Sequence, residues 1–307
     1  MLKPKPANIV RGKWWDAGPR LVSGCTPVSE GCRRCWSLAM EQRFAKGDTR
    51  IVVHPEKLER ILKPHTPCVW SIWNDLFHPE VPVEFIARVL SATTFMPADL
   101  YMILTKRVER LVKVWDYLLF TEEGNELVGE AREEMRPDDD PTDWDARLPN
   151  VWLGTTVEEP EQVKRLDDLL ACRAAGYFVS VEPLLAELDL KLCPDPEDRL
   201  ACDRDPQEDS PCACNACHSG RHWFNGMSQR AWERHCVDLV IVGGETGPGA
   251  RPMDPDWARR IRDDCARTGT AFWFKQMGGR QPIPEDLLIR QWPGDAELIG
   301  AGGTERT

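Results

Sequence analysis

The chain has 307 residues, 42% apolar and 29% charged, enough to bury a sizeable core in one large domain or two small ones. Its formal charge of −11 argues against a protein that coats nucleic acid through bulk charge, and its apolar runs are strand-sized, too short for a membrane span. The first six residues hold two lysines and two prolines with no apolar stretch behind them, so no secretory signal is expected. Twelve cysteines in such a chain, with two groups of them bunched together, favour metal ligation in a reducing compartment over a disulfide framework.

In chain order, short apolar runs bounded by turn residues alternate with helical patterns. That alternation marks β/α units on a parallel sheet. Strands are predicted at 20–23, 68–73, 100–104, 151–154, 177–181, 239–242 and 271–274, and helices at 35–46, 83–92, 108–119, 160–174 and 255–268. The fold class expected is α/β, an incomplete (β/α) barrel of six or seven parallel strands over residues 1–307. Two insertions interrupt the rhythm. Residues 120–149 carry eleven acids against three arginines and read as a partly helical insertion or a solvated loop. Residues 191–236 are rich in cysteine, proline and aspartate and read as a separate small lobe.

Polar residues recur where the predicted strands end: Asn74 and Asp75, Thr105 and Lys106, Thr155 and Glu158, Glu182, Glu245, Lys275 and Gln276. Any one of them reads equally well as a loop residue or helix cap. As a set, they put a polar mouth on the face where parallel α/β folds build their sites.

Directly after the first predicted strand, Gly24-Cys25-Thr26-Pro27-Val28-Ser29-Glu30-Gly31-Cys32-Arg33-Arg34-Cys35-Trp36 spaces three cysteines by six residues and then two. Three thiolates on a short loop are a soft ligand set for iron–sulfur or zinc. Zinc would need a fourth ligand from elsewhere, His54 being the nearest histidine. A four-iron cluster with one iron left open fits three cysteines directly. Three unrelated cysteines remain the bland alternative.

This loop resembles that of a family of phage and prophage proteins related to the radical S-adenosylmethionine enzymes. So do Trp73-Asn74-Asp75-Leu76-Phe77-His78, Leu104-Thr105-Lys106-Arg107, 150–158, 179–185, Val240-Ile241-Val242-Gly243-Gly244-Glu245, 249–253 and Phe274-Lys275-Gln276. The resemblance implies a [4Fe-4S] cluster on Cys25, Cys32 and Cys35, with S-adenosyl-L-methionine on the open iron and Trp36 near the adenine. It also implies an external electron donor, a nucleobase or DNA substrate, and the cytoplasm of a bacterium or phage-infected host. Two departures limit it: the superfamily's commonest spacing is three then two, and its Gly-Gly-Glu follows an early strand, whereas Gly243-Gly244-Glu245 follows a late one. Glu245 is therefore expected to meet either the methionine moiety or the substrate. The glycines match a dinucleotide loop weakly, and close backbone approach to a ligand explains them better.

Asn74 and Asp75 are expected beside the cofactor. Lys106, Glu182 and Lys275 are expected to converge on one mouth and there orient substrate or move protons. A non-enzymatic, metal-stabilised phage protein that binds nucleic acid or a host factor, its cluster purely structural, is the competing class. A second metal site is expected from a subset of Cys193, Cys202, Cys212, Cys214, Cys217, His218 and His222, as zinc, as a further iron–sulfur cluster, or with no metal at all. Of the 13 tryptophans, Trp70, Trp73, Trp152 and Trp273 read as core, while Trp14, Trp15 and Trp223 lie near cations and could stack on a base.

Overall fold

A computed structural model describes residues 4–7, 12–44, 50–138, 140, 144–192, 237–279 and 281–294. The chain divides into two compact units, Met1–Thr156 with Cys172–Gly176, and Val157–Ala171 with Tyr177–Thr307.

The first unit contains, in order, β1 (Val22–Ser23), α1 (Trp36–Phe44), β2 (Val52–Val53), α2 (Glu59–Leu62), β3 (Val69–Ile72), α3 (Val83–Thr94), β4 (Leu100–Thr105), α4 (Val108–Phe120), α5 (Glu122–Met135) and β5 (Val151–Thr156). β3, β4 and β5 pair in parallel, with Ser71 opposite Met102 and Met102 opposite Trp152. Nearly every residue of these strands is buried, so both sheet faces are covered. That is why they read as largely apolar runs and not as alternating ones.

The second unit contains α6 (Arg165–Ala171), β6 (Tyr177–Val181), β7 (Leu239–Gly243), α7 (Pro255–Thr268) and β8 (Ala271–Gln276). β6, β7 and β8 are again parallel and buried, with Val181 opposite Val242 and Val242 opposite Phe274. α7 starts on Asp254, whose side chain accepts from the Asp256 amide, and stops at Gly269 in the left-handed conformation. The strands follow one another in chain order, giving six parallel strands from β3 to β8. The α/β class and the strand count agree with the sequence reading.

The first predicted strand is a correction. β1 pairs antiparallel with β2, outside the parallel sheet. The edge of β3 is met instead by the chain just before it: the Ser71 amide donates to Ala17 O at 2.8 Å, and Ala17 forms a parallel bridge with Trp70. Pro19 has no N–H to extend that ladder, so the chain leaves it before the apolar residues begin.

The acidic stretch contains a helix of the first unit's own core, α5, which packs on α3 and α4. Its Val128 and Ala131 are buried, the Ser91 hydroxyl donates to Val128 O at 2.9 Å, and the guanidinium groups of Arg132 and Arg136 lie 4.5 and 4.6 Å from the Phe95 ring centre. Each fully buried aliphatic or aromatic side chain of such a layer contributes roughly 1.5–3 kcal/mol.

Candidate metal centre

In the first unit, the loop from Gly24 to Cys35 joins β1 to α1. Its base is fixed by Glu41 of α1, which accepts from the Gly24 amide at 3.2 Å and pairs with Arg20. A single helical turn at Glu30–Cys32 is closed by Cys32 N donating to Ser29 O at 3.0 Å, and Cys35 N then donates to Cys32 O at 3.1 Å. Cys35 directly precedes α1, at the positive end of the helix dipole. Cys25, Cys32 and Cys35 are all free thiols.

Two cations at the end of β4 face this loop. Lys106 Nζ lies 3.5 Å from Cys32 Sγ and 3.3 Å from Ser29 Oγ. Arg107 donates to Asp75 Oδ2 at 2.6 Å, to Thr26 O and Oγ1 at 2.8 Å each, and reaches Cys25 Sγ at 3.9 Å. Asp75 also accepts from Thr105 Oγ1 at 2.6 Å and from Phe77 N at 3.1 Å, while Thr26 Oγ1 meets His78 Nε2 at 2.8 Å. Burial alone would raise the Cys32 thiol, but the Lys106 ammonium and hydrogen bonds from Val28 and Ser29 outweigh it and lower its pKa. At Cys25, burial and the Asp75 carboxylate win over Arg107, and the thiol is raised.

Asn74 occupies the left-handed region with φ of 64°, and its Oδ1 accepts from Ser37 Oγ at 2.9 Å. Its Nδ2 is buried without a hydrogen-bond partner. A buried donor left open is costly unless something outside the chain satisfies it. Trp36 is 52% exposed and stands edge-on to Trp73, with ring centres 5.6 Å apart. Trp73 is edge-on to Trp15, and Trp15 to the buried Trp14. The Trp14–Trp15 pair thus belongs to an aromatic cluster, and Trp14 offers no face for stacking a base.

Among the described residues, the one group with three ligand atoms within 4.8 Å of one another is His65, Cys68 and Asp99. The loop thiols are spread more widely. A single tetrahedral zinc with bonds of about 2.3 Å would need its sulfurs about 3.8 Å apart, closer together than the three loop thiols stand. The His65–Cys68–Asp99 group, which the sequence reading passed over, sits at the opposite ends of the same strands. There Asp99 accepts from Cys68 N at 3.0 Å, Trp70 Nε1 at 2.8 Å, Tyr101 OH at 2.9 Å and His65 Nε2 at 2.7 Å. Its carboxylate is saturated by protein donors, as a structural hub would be.

In the second unit, Glu182 follows β6 and Lys275 lies in β8. Their side chains pair at 2.9 Å, and Gln276 Nε2 donates to Glu182 Oε1 at 3.2 Å and to Gly244 O at 3.0 Å. A Cβ on Gly243 would meet Gln276 Nε2 and Glu182 Oε1 at 2.8 Å, and one on Gly244 would meet the Gly278 amide at 2.2 Å. Gly244 is thus required by close approach to backbone, whereas at Gly243 the ends of two flexible side chains would have to shift. Glu245 is buried and doubly held by Arg251, with Oε1 at 2.6 Å from Nη2 and Oε2 at 3.1 Å from Nε; it also accepts from the Arg251 amide at 2.8 Å. Glu158, completely buried, pairs with Arg165 at 3.0 Å.

Residues 11–292 match a family model described as "Protein of unknown function (DUF5131)". The chain belongs to this family. No curated protein and no solved structure matches it.

In this DUF5131 chain the expected site residues form two groups. Cys25, Cys32, Cys35, Trp36, Asn74, Asp75 and Lys106 belong to the first unit, and Glu182, Gly243, Gly244, Glu245 and Lys275 to the second. Cys193, Cys202, Cys212, Cys214, Cys217, His218, His222 and Trp223 lie outside the described residues. Arg107 and Thr26 were missed, although Arg107 stands beside Lys106 at a strand end and carried the same signal. No helix among the described residues is long and apolar enough to cross a membrane.

Proposed function

We propose that this chain is a radical S-adenosylmethionine enzyme, with Cys25, Cys32 and Cys35 holding a [4Fe-4S] cluster. The observation that carries the proposal is the loop itself: three free thiols, one at a helix N-terminus, faced by Lys106 and Arg107. A cluster bearing thiolates is anionic, and cations beside its sulfurs suit it. Held by Cys25, Cys32 and Cys35, such a cluster would supply the electron, drawn from an external donor, for reductive cleavage of S-adenosylmethionine to methionine and a 5′-deoxyadenosyl radical able to take a hydrogen atom from the substrate.

The chain's own part is holding and aiming. Asn74 offers its open amide N–H to a carboxylate of the methionine moiety, and the exposed face of Trp36 is available to the adenine. Asp75 acts through Arg107 to fix the loop. Glu245, held by Arg251, shapes the turn after β7. Glu182 and Lys275 form a pair able to orient a substrate or relay a proton, and Glu182→Gln is expected to lower substrate turnover by ~10², the scale for a positioned acid–base group. The resemblance to phage proteins extends the proposal to a nucleobase, plain or modified, as the substrate.

The test is anaerobic reconstitution with iron and sulfide, followed by dithionite and S-adenosylmethionine. Formation of 5′-deoxyadenosine by the native chain, and none by a variant with all three cysteines changed to alanine, is expected. A protein that holds four irons yet forms no 5′-deoxyadenosine would overturn the enzyme reading and favour a binding protein with a structural cluster.

A further inference from the structure

Resting on the reading of the cysteine loop as an iron–sulfur site, we propose that Lys106 and Arg107 are its redox-tuning residues, each acting on a different ligand sulfur. They are consecutive, and in a continuing strand they would point to opposite faces. β4 ends at Thr105, and Arg107, with φ of −110° and ψ of 58°, turns the chain into α4, so both side chains return to the same loop. Lys106 takes Cys32 at 3.5 Å and Arg107 takes Cys25 at 3.9 Å.

Neither contact depends on a side chain waving in solvent. The Arg107 side chain is 10% exposed and is held by Asp75 and by both oxygens of Thr26, and Asp75 is itself held by Thr105 and the Phe77 amide. Lys106 is braced on Ser29, whose hydroxyl lies 3.5 Å from the same Cys32 sulfur. Screening by water is reduced at such part-buried contacts. A cluster gains one negative charge on reduction, so N–H donors and positive charge beside its ligand sulfurs stabilise the reduced form and raise the potential. Arg107 also spans from Asp75, just after β3, to the loop, so the position of Cys25 is fixed relative to two strand ends.

The experiment is a redox titration of the reconstituted cluster, following the electron paramagnetic resonance of its reduced state, in the native chain and in Lys106→Met, Lys106→Arg and Arg107→Gln. Iron and sulfide contents are measured on each. Lys106→Met and Arg107→Gln are each expected to lower the ratio of reduced to oxidised cluster at a fixed potential about tenfold, a shift of ~59 mV for one electron. Lys106→Arg is expected to restore the native midpoint, which a purely structural role would not require. Should Arg107→Gln lose iron, Lys106→Met decides alone. Native iron with an unmoved midpoint in Lys106→Met overturns this inference and leaves the cluster reading standing. A native chain that takes up no iron overturns both.

Discussion

The two ends of β3 and β4 carry the same residue types in opposite circumstances. At the amino ends, Cys68, His65 and Asp99 meet, and four protein donors saturate the Asp99 carboxylate. At the carboxyl ends, Cys25, Cys32, His78 and Asp75 meet, but here two cations are aimed at sulfur and the Asn74 amide is left open. Cys68 is pushed up to about 12 by burial and then by Asp99 and Asp16; at the other end Cys25 is likewise raised, by burial and Asp75, and only Cys32, with Lys106 beside it, is lowered despite burial. A polar cluster whose bonds close on themselves is scaffold. One that presents charge and an open donor to thiols is the arrangement that the proposed cluster would use.

The strongest way to break this comparison is at Asp99. Asp99→Ala leaves the His65 ring and the Trp70, Tyr101 and Cys68 donors without their acceptor, and unfolding by urea should show a loss of about 3–5 kcal/mol. Iron uptake per folded molecule should be unchanged. If iron uptake falls while stability holds, the amino end is the functional one. At the carboxyl end the pattern should reverse. Asn74→Gly tolerates the positive φ and removes the open donor, so it is expected to weaken S-adenosylmethionine binding about tenfold, or ~1.4 kcal/mol, while the loss of the acceptor of Ser37 Oγ costs only about 1 kcal/mol of stability. Equilibrium dialysis against labelled S-adenosylmethionine and a parallel urea titration measure the two quantities.

The smallest effect concerns pH. Burial pulls the His65 pKa down from 6.5, but the Lys63 carbonyl and the Asp99 carboxylate outweigh it, and the net direction is up. Both ring nitrogens face acceptors, at 2.6 and 2.7 Å, as an imidazolium requires. A raised folded pKa contributes stability that is complete below the unfolded value and lost as pH rises through the folded one. Stability should therefore decline across that window by less than about 1 kcal/mol, the scale of a partly exposed ion pair. The slope should disappear in His65→Gln, and an unchanged slope there would assign it to another group.

Much of the sheet was legible because both its faces are covered. Runs such as Tyr177–Val181 and Leu239–Gly243 are apolar but for Ser180, and a fully buried strand is the element that such a short run between turn signals suits. The first strand misled because its apolar residues follow Pro19, and the position along β3 goes to the less apolar stretch before it. α5 was obscured by composition: Gly124, Val128, Ala131 and Arg132 lie on one face at helical spacing, but the acids on the other faces dominate any average. Strand ends announced Lys106, Glu182 and Lys275, whereas Asp99 went unread because it precedes its strand, where attention to carboxyl ends does not look. Pairings such as Arg107 with Asp75, 32 residues apart, are written only in the fold.

The measurement that bears most directly on the cluster assignment is iron and acid-labile sulfide per chain after anaerobic reconstitution, with and without Cys25, Cys32 and Cys35. The native chain should hold about four of each at the loop, with the broad brown absorbance of a thiolate-bound cluster, and the triple alanine variant should lose them with its circular dichroism unchanged. Full iron retention in that variant, or zinc and no iron in the native chain, would contradict the account.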